Sequence, residues 1–315
     1  MSRVAKWPAM FLALVVAAPA ASDEAFVTNQ TSDDLTIVDL VTMTPRATVP
    51  IGGKPAGVAV SRDGSRVYVT SPEGHFLSVI DTGARRVVKR ISVAGGPFGV
   101  AVSPDGSRVY VADMYGRDLV EIDLKSEATR RVEIGAMPSG VAVTPDGRFV
   151  VAAARDDNAI VIIDAETFTR VASVAVGRHP YGVTIDLQGA RAYTANVESN
   201  DVSIVDLRER WLVANVPVGS HPYGVALARG RAFVANQYAE SVSVFDAASL
   251  APFGTVKVGE YPESVAASRD GGTIYVTNWF SNEVWSIDAA TLKVLAKAPT
   301  GDGPRAFGAF IRAVE

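Results

Sequence analysis

An aspartate that follows an apolar residue recurs along the whole chain, at Asp39, Asp81, Asp123, Asp164, Asp206, Asp246 and Asp288. The spacings are 42, 42, 41, 42, 40 and 42 residues. Thirteen residues before each aspartate stands Phe26, Tyr68, Tyr110, Val151, Tyr193, Phe233 or Tyr275. Neither column has a gap. A fixed period of this length marks an array of one structural unit, and it limits the fold to solenoids and propellers.

The unit is built from short strands. In Gly99–Gly135, "GVAVS" and "RVYVAD" flank the turn "PDG", whose Asp-Gly supplies the backbone angles of a hairpin. "LVEID" is a third strand, and "RRVEI" follows a polar turn as the fourth. Runs such as "AIVIID" (159–164) are apolar on both faces, so each sheet must be covered on both sides. Four-stranded sheets packed face to face around an axis meet that demand, and they are propeller blades. Crowding of the innermost strands near the axis accounts for the small residues Gly57, Gly99, Gly140, Gly182, Gly224 and Ser264.

The chain enters and leaves the repeat out of phase. Residues 25–51 supply strands two to four of a blade, and Arg305–Ile311 ("RAFGAFI") matches a first strand. The reading is an all-β, seven-bladed β-propeller of four-stranded antiparallel blades. Its ring is closed by the C-terminal strand joining the N-terminal blade, which leaves no free sheet edge. A basic start (Arg3, Lys6), a short apolar run (Met10–Ala18) and small residues near Ala20 read as a secretory signal peptide over residues 1–20. Residues 21–315 then form one propeller domain, expected to be periplasmic or secreted. The apolar run is short for a bilayer span, which needs roughly 20 residues. Without Arg3 and Lys6 the chain has 28 basic and 34 acidic residues, a balance that disfavours nucleic acid and anionic membrane as partners. The absence of cysteine excludes disulfides, thiolate metal sites and cysteine nucleophiles.

"FVTN" (26–29), "YVTS" (68–71), "YTAN" (193–196), "FVAN" (233–236) and "YVTN" (275–278), with the "PDG" turns and the G-x-x-P-x-G-V-A links, resemble the YVTN-repeat β-propellers. The resemblance extends over the mature chain. It implies the propeller fold and makes association with periplasmic redox or transport systems plausible. Some exported relatives are reported to bind DNA. Asp113 and Ala154 depart from the motif's asparagine.

Propeller geometry puts the strand two–three loops and the blade-to-blade links on one face, here called the link face. The aromatics there include Tyr115, Tyr181, Tyr223, Tyr238, Tyr261, Trp279 and Phe280, mixed with Arg and Glu. Such a mixture around a channel mouth suits binding of a periplasmic protein or a small molecule without catalysis. His179, Tyr181, His221, Tyr223, Tyr261, Trp279 and Arg305 are the candidate binding residues. The aromatics would supply burial, the histidines adjustable hydrogen bonds, and Arg305 charge selection.

Two of the three histidines share the frame "VGxHPYGV", 42 residues apart. His179 and His221 are therefore candidate ligands for a divalent metal, with Glu260 and Asp302 as further oxygen donors. The other links carry Lys54, Gly96, Met137, Tyr261 and Gly303 at that position, which also fits a permissive rim site. An alternative reading is a periplasmic enzyme or enzyme subunit, hydrolase, lyase or redox-associated, with a metal or polar site at the channel mouth built from His179, His221, Glu260 and Glu263. No G-x-S-x-G elbow or H-E-x-x-H pair supports a particular chemistry. Nucleic-acid binding is a lesser alternative, resting on Arg85, Arg86, Lys89 and Arg90 and on Arg130 and Arg131. The aspartate column reads as structural, each carboxylate capping the turn that follows it.

Overall fold

The structure, a computed structural model, describes residues 23–312. The expected signal peptide lies outside the described residues. Seven antiparallel sheets follow one another along the chain and form a seven-bladed β-propeller. Blade 1 contains Glu24–Asn29, Asp34–Asp39 and Thr44–Pro50. Blade 3 shows the full unit: Pro97–Val102, Arg108–Asp113, Asp118–Asp123 and Thr129–Glu133. Blades 2, 4, 5, 6 and 7 begin at Gly57, Pro138, Pro180, Pro222 and Pro262. The middle strands are buried on both faces, as in Ala159–Asp164. The outermost strands are largely exposed, as in Arg86–Ser92. The hydrophobic core is thus a set of layers between neighbouring blades.

Each part of the repeat motif has a physical task. The aromatic residue at the third position of the second strand fills the layer between blades, and Phe26, Tyr110 and Phe233 are fully buried there. The threonine two positions later ties its blade to the next one. Thr28, Thr70 and Thr277 donate their hydroxyls to the carbonyls of Ala56, Phe98 and Arg305, at 2.8, 2.5 and 3.2 Å. The asparagine holds the loop of its own blade. Asn29 donates to Asp34 (2.6 Å) and Thr36 (2.8 Å), and Asn196 to Asp201 (2.5 Å) and Ser203 (2.8 Å). A glycine of the incoming link packs on this amide; a Cβ on Gly177 would collide with Asn196. The recurring aspartates accept backbone N–H groups of the following turn, for example Asp206 from Arg208 (2.9 Å) and Glu209 (2.8 Å). These donors hold the carboxyls of Asp81, Asp123, Asp164, Asp246 and Asp288 below the ordinary carboxylate range.

The ring closes as the sequence predicts, with one refinement. The C-terminal segment lies along Glu24–Asn29: Arg305 N–H donates to the Thr28 carbonyl (2.8 Å), and Phe310 accepts from Phe26 N–H (2.8 Å). Ile311–Arg312 pairs with Glu24–Ala25. Between these contacts the chain bows toward the neighbouring blade, where Phe307–Ala309 runs parallel to Gly57–Ala59. Gly308 permits the bow with a φ of +127°, and a Cβ there would press on the Val58 carbonyl. The closing strand therefore joins two blades instead of one.

Candidate functional site

The links that start blades 2 to 7 and the closing segment share a short frame: a rim residue, a proline, and a residue that turns toward the axis. In blades 3, 4 and 5 the first strand leaves its ladder just after this proline, between Pro97 and Val100, Pro138 and Val141, and Pro180 and Val183. The inward residues are Ala56, Phe98, Ser139, Tyr181, Tyr223, Glu263 and Arg305. Three of them, together with Phe307, form a dense aromatic knot. Tyr181 lies 5.7 Å from Phe98, 4.5 Å from Tyr223 and 4.9 Å from Phe307 between ring centroids, and Phe98 lies 5.0 Å from Phe307. Tyr181 is buried and Tyr223 half-buried, and burial pushes both phenols above their ordinary range.

Beside the knot lies an ion pair. Arg305 Nε stands 3.3 Å from Glu263 Oε2, and Gln237 donates to Glu263 Oε1 at 2.6 Å. Glu263 is buried, which raises its carboxyl pKa; Arg305 and the Gln237 amide pull in the opposite direction. The Arg305 guanidinium lies over two aromatic rings, 4.8 Å from Trp279 and 5.6 Å from Phe98. Its Nε has no partner with hydrogen-bond geometry despite the nearby carboxylate. The arginine and the tyrosines expected at the channel mouth thus form a plug across the link-face end of the channel. The deep cavity, about 620 Å³, lies below this layer and extends to the opposite face, where it reaches Pro104, Pro145 and Leu187 in the first-to-second-strand turns.

The rim residues share a left-handed backbone. Lys54, Met137, His179, His221 and Tyr261 have φ of 58, 53, 55, 54 and 58°. The position accepts varied side chains, and its backbone is held from the preceding blade. Asp33 accepts the Lys54 N–H at 2.8 Å, Asn158 that of His179 at 2.9 Å, and Asn200 that of His221 at 2.8 Å. These acceptors are also left-handed, which Asp and Asn tolerate better than most residues. A long-range latch 21 residues deep therefore fixes a conformation that would otherwise cost of order 1–3 kcal/mol.

The two histidines, alike in frame, take different partners. His179 Nδ1 lies 2.9 Å from Glu198, and its Nε2 lies 4.0 Å from Asp156. His221 stacks on Tyr238 at 3.8 Å. From there a ladder of rings continues: Tyr238 to Tyr261 at 5.2 Å and Tyr261 to Phe280 at 4.8 Å. Hydrogen bonding to Tyr238, followed by burial, pushes the Tyr261 phenol up to about 12. Tyr238 and Phe280 are 55% and 61% exposed, so the ladder is a surface feature and not a core. Among the described residues, no three His, Asp or Glu side chains gather in a metal-binding arrangement.

The structure therefore divides the seven predicted residues among three places. Tyr181, Tyr223, Trp279 and Arg305 belong to the plug, and His221 and Tyr261 to the ladder. His179 stands apart with its acidic partners. Tyr238 and Phe280 complete the ladder, and Gln237 completes the buried pair. Tyr238 and Phe280 were visible as link-face aromatics; nothing in the sequence marks Gln237 as a partner of Glu263.

Two family models match parts of the chain: the YNCE-like beta-propeller over residues 13–102, and the lactonase, 7-bladed beta-propeller over residues 118–211. Among solved structures, the chain is similar to Kuenenia stuttgartiensis hydrazine synthase, with a TM-score of 0.76 at 22% identity over 85% of this chain and 92% of that one. It is also similar to a functionally unknown protein from Desulfotomaculum acetoxidans DSM 771, with a TM-score of 0.78 at 16% identity over 91% and 100% of the two chains. At these identities the likeness shows the fold alone. No curated protein matches the chain. Among the described residues, no helix is long and apolar enough to cross a membrane.

Proposed function

We propose that this propeller is an exported binding protein that docks a protein partner through its link face, without catalysis of its own. The observation that carries this reading is the ladder His221–Tyr238–Tyr261–Phe280, in which contacting rings remain open to solvent. Contiguous exposed aromatics are costly in water and are enriched at the centres of interfaces. Exposed Glu240 and Glu260 stand beside the ladder and would form a polar rim. The plug beneath gives the surface a rigid floor, and Arg305 adds a cation held in place by Glu263 and Trp279.

A second reading follows from one pair of observations. His179 Nδ1 and the Glu198 carboxylate lie 2.9 Å apart on the same face, within the segment that resembles the lactonase propellers. This would place a hydrolase or lyase centre at His179. Loss of a hydrolytic activity in His179→Ala, with the ladder intact, would favour it.

The docking reading is tested by cross-linked capture from native periplasmic extract, using wild type and a Tyr238→Ala, Phe280→Ala double variant. A partner held by wild type and lost from an equally stable variant is the expected result. The same partner held by both would refute a role for the ladder.

A further inference from the structure

The central channel ends blindly at the aromatic plug and opens on the face opposite the ladder. Its walls are inner-strand side chains that are mostly small and apolar, such as Ala101, Val102, Ala142 and Ala226. Of the two threonines that line it, Thr184 spends its hydroxyl on the Val225 carbonyl at 2.6 Å. Thr144 spends its own on Asp146 at 2.6 Å. Water gains little in such a space, because it finds few polar partners, and apolar cavities of this kind hold apolar guests. The wall from Gly99 to Pro104 is about 17 Å long at ~3.3 Å per residue, so a volume of 620 Å³ corresponds to a bore about 7 Å wide. These dimensions suit an elongated hydrocarbon and fall within the range of small-molecule pockets.

The mouth supplies a polarity. Leu187 is 89% exposed at the turn position where neighbouring blades carry Pro104 and Pro145, so one side of the opening is an apolar collar. At the same turn position in blade 2 the wall includes Arg62, which is exposed and makes no ion pair among the described residues. Arg62 and Val60 are shared with an adjoining notch of about 320 Å³ that is also lined by Arg269 and Arg312. Arg312 is neutralised by Glu24 at 2.7 Å. The one acidic side chain of the channel wall, Asp186, faces its own turn and accepts the Ala190 N–H at 2.7 Å.

We infer that the channel binds an amphiphile with a single elongated hydrocarbon body and an anionic head, a fatty-acid-like molecule, with the hydrocarbon in the bore and the head at Arg62. This site is separate from the docking face and does not depend on it. Binding is reversible and involves no covalent step.

The test is a fluorescence titration of the full chain with the polyene fatty acid cis-parinarate and with its alcohol analogue. Saturable one-to-one binding is expected, with the acid preferred. Ala142→Phe should fill the bore and weaken both probes at least tenfold while the unfolding temperature is unchanged. Arg62→Glu, an exposed change that leaves the core untouched, should weaken the acid about tenfold and leave the alcohol as in wild type. Tyr238→Ala should change neither. The inference is overturned if no saturable binding occurs, if folded Ala142→Phe binds as wild type, or if Arg62→Glu affects acid and alcohol alike. Loss of binding in Tyr238→Ala would also overturn it, because the probe would then be seated on the link face.

Discussion

Two substitutions of the same kind, Thr28→Val and Thr194→Val, should move stability in opposite directions. Both threonines are fully buried in second strands, and valine is close to threonine in shape. Thr28 donates to the Ala56 carbonyl at 2.8 Å and accepts the Ala306 N–H at 2.9 Å, so it bonds blade 1, the link to blade 2 and the closing segment together. Valine would leave the Ala306 N–H without a partner, whereas the Ala56 carbonyl keeps the Phe307 N–H at 3.3 Å. One orphaned buried donor costs about 1–3 kcal/mol, and the lost bond to Ala56 adds ~1 kcal/mol. The expected loss is therefore about 3 kcal/mol. Thr194 is the reverse case, because its hydroxyl is buried with no hydrogen-bond partner. Valine already occupies the equivalent position in blades 1, 2, 3, 6 and 7 (Val27, Val69, Val111, Val234, Val276). Removing an unsatisfied hydroxyl should stabilise by about 1 kcal/mol. With an unfolding entropy of roughly 2 cal/mol/K per residue, a chain of this size should melt about 5 °C lower as Thr28→Val, and about 2 °C higher as Thr194→Val. Scanning calorimetry at neutral pH reads both. Equal effects in the two variants, or an unchanged melting temperature for Thr28→Val, would refute the account of the motif threonine as an inter-blade latch.

Two further predictions concern charge. Hydrogen bonds from Ser61 and Ser65 hold the Asp63 carboxyl at about 2, and those from Ser103 and Ser107 do the same for Asp105. Their unfolded value is about 3.9, so the stability they contribute is present above about pH 4 and is lost as pH falls through about 2. The melting temperature should therefore be flat against these groups near neutrality and drop between about pH 4 and 2, with Asp63→Asn plus Asp105→Asn shallower over that window. For the plug, Glu263→Leu would leave Arg305 without its carboxylate and should cost about 3–5 kcal/mol, whereas Glu263→Leu with Arg305→Met should recover most of it. Chemical denaturation of the two variants separates these outcomes, and equal losses would show that the pair is not coupled.

The features legible in the sequence are those that every blade must satisfy. The aspartate that ends the third strand, the glycine of the incoming link and the large apolar residue of the second strand each answer a demand imposed once per blade, so they recur at the period and identify the fold. Even the closing strand could be read from phase alone. Its bow toward the neighbouring blade could not, because it depends on how Gly308 packs on Val58 and not on any repeated rule. The site is harder for the same reason. His179 and His221 have identical frames, yet one meets Glu198 and the other Tyr238. Their partners come from strand two–three loops, which differ from blade to blade, and the spacing carries no information about them.

A repeat also indicates where its structural demands end. The residue after the link proline is Ala56, Phe98, Ser139, Tyr181, Tyr223, Glu263 or Arg305, around one axis and at one level. Its flanking positions are constrained: a proline precedes it in all seven cases, and a small residue follows in every one. A column that is free in chemistry but fixed in place lets seven different side chains meet at one point. An arginine paired with a glutamate, with rings packed against the guanidinium, is a combination that no sevenfold rule could produce. The adjoining rim column behaves alike, with its backbone pinned by Asn158 and Asn200 and its side chains unconstrained. Both columns face the ladder, whereas the turns at the other end of the channel keep to a Ser/Thr-x-Asp-Gly pattern in four blades and depart from it at Leu187. The departures from symmetry thus mark two separate surfaces, one polar-aromatic and closed, the other apolar and open, and a single propeller can use them independently.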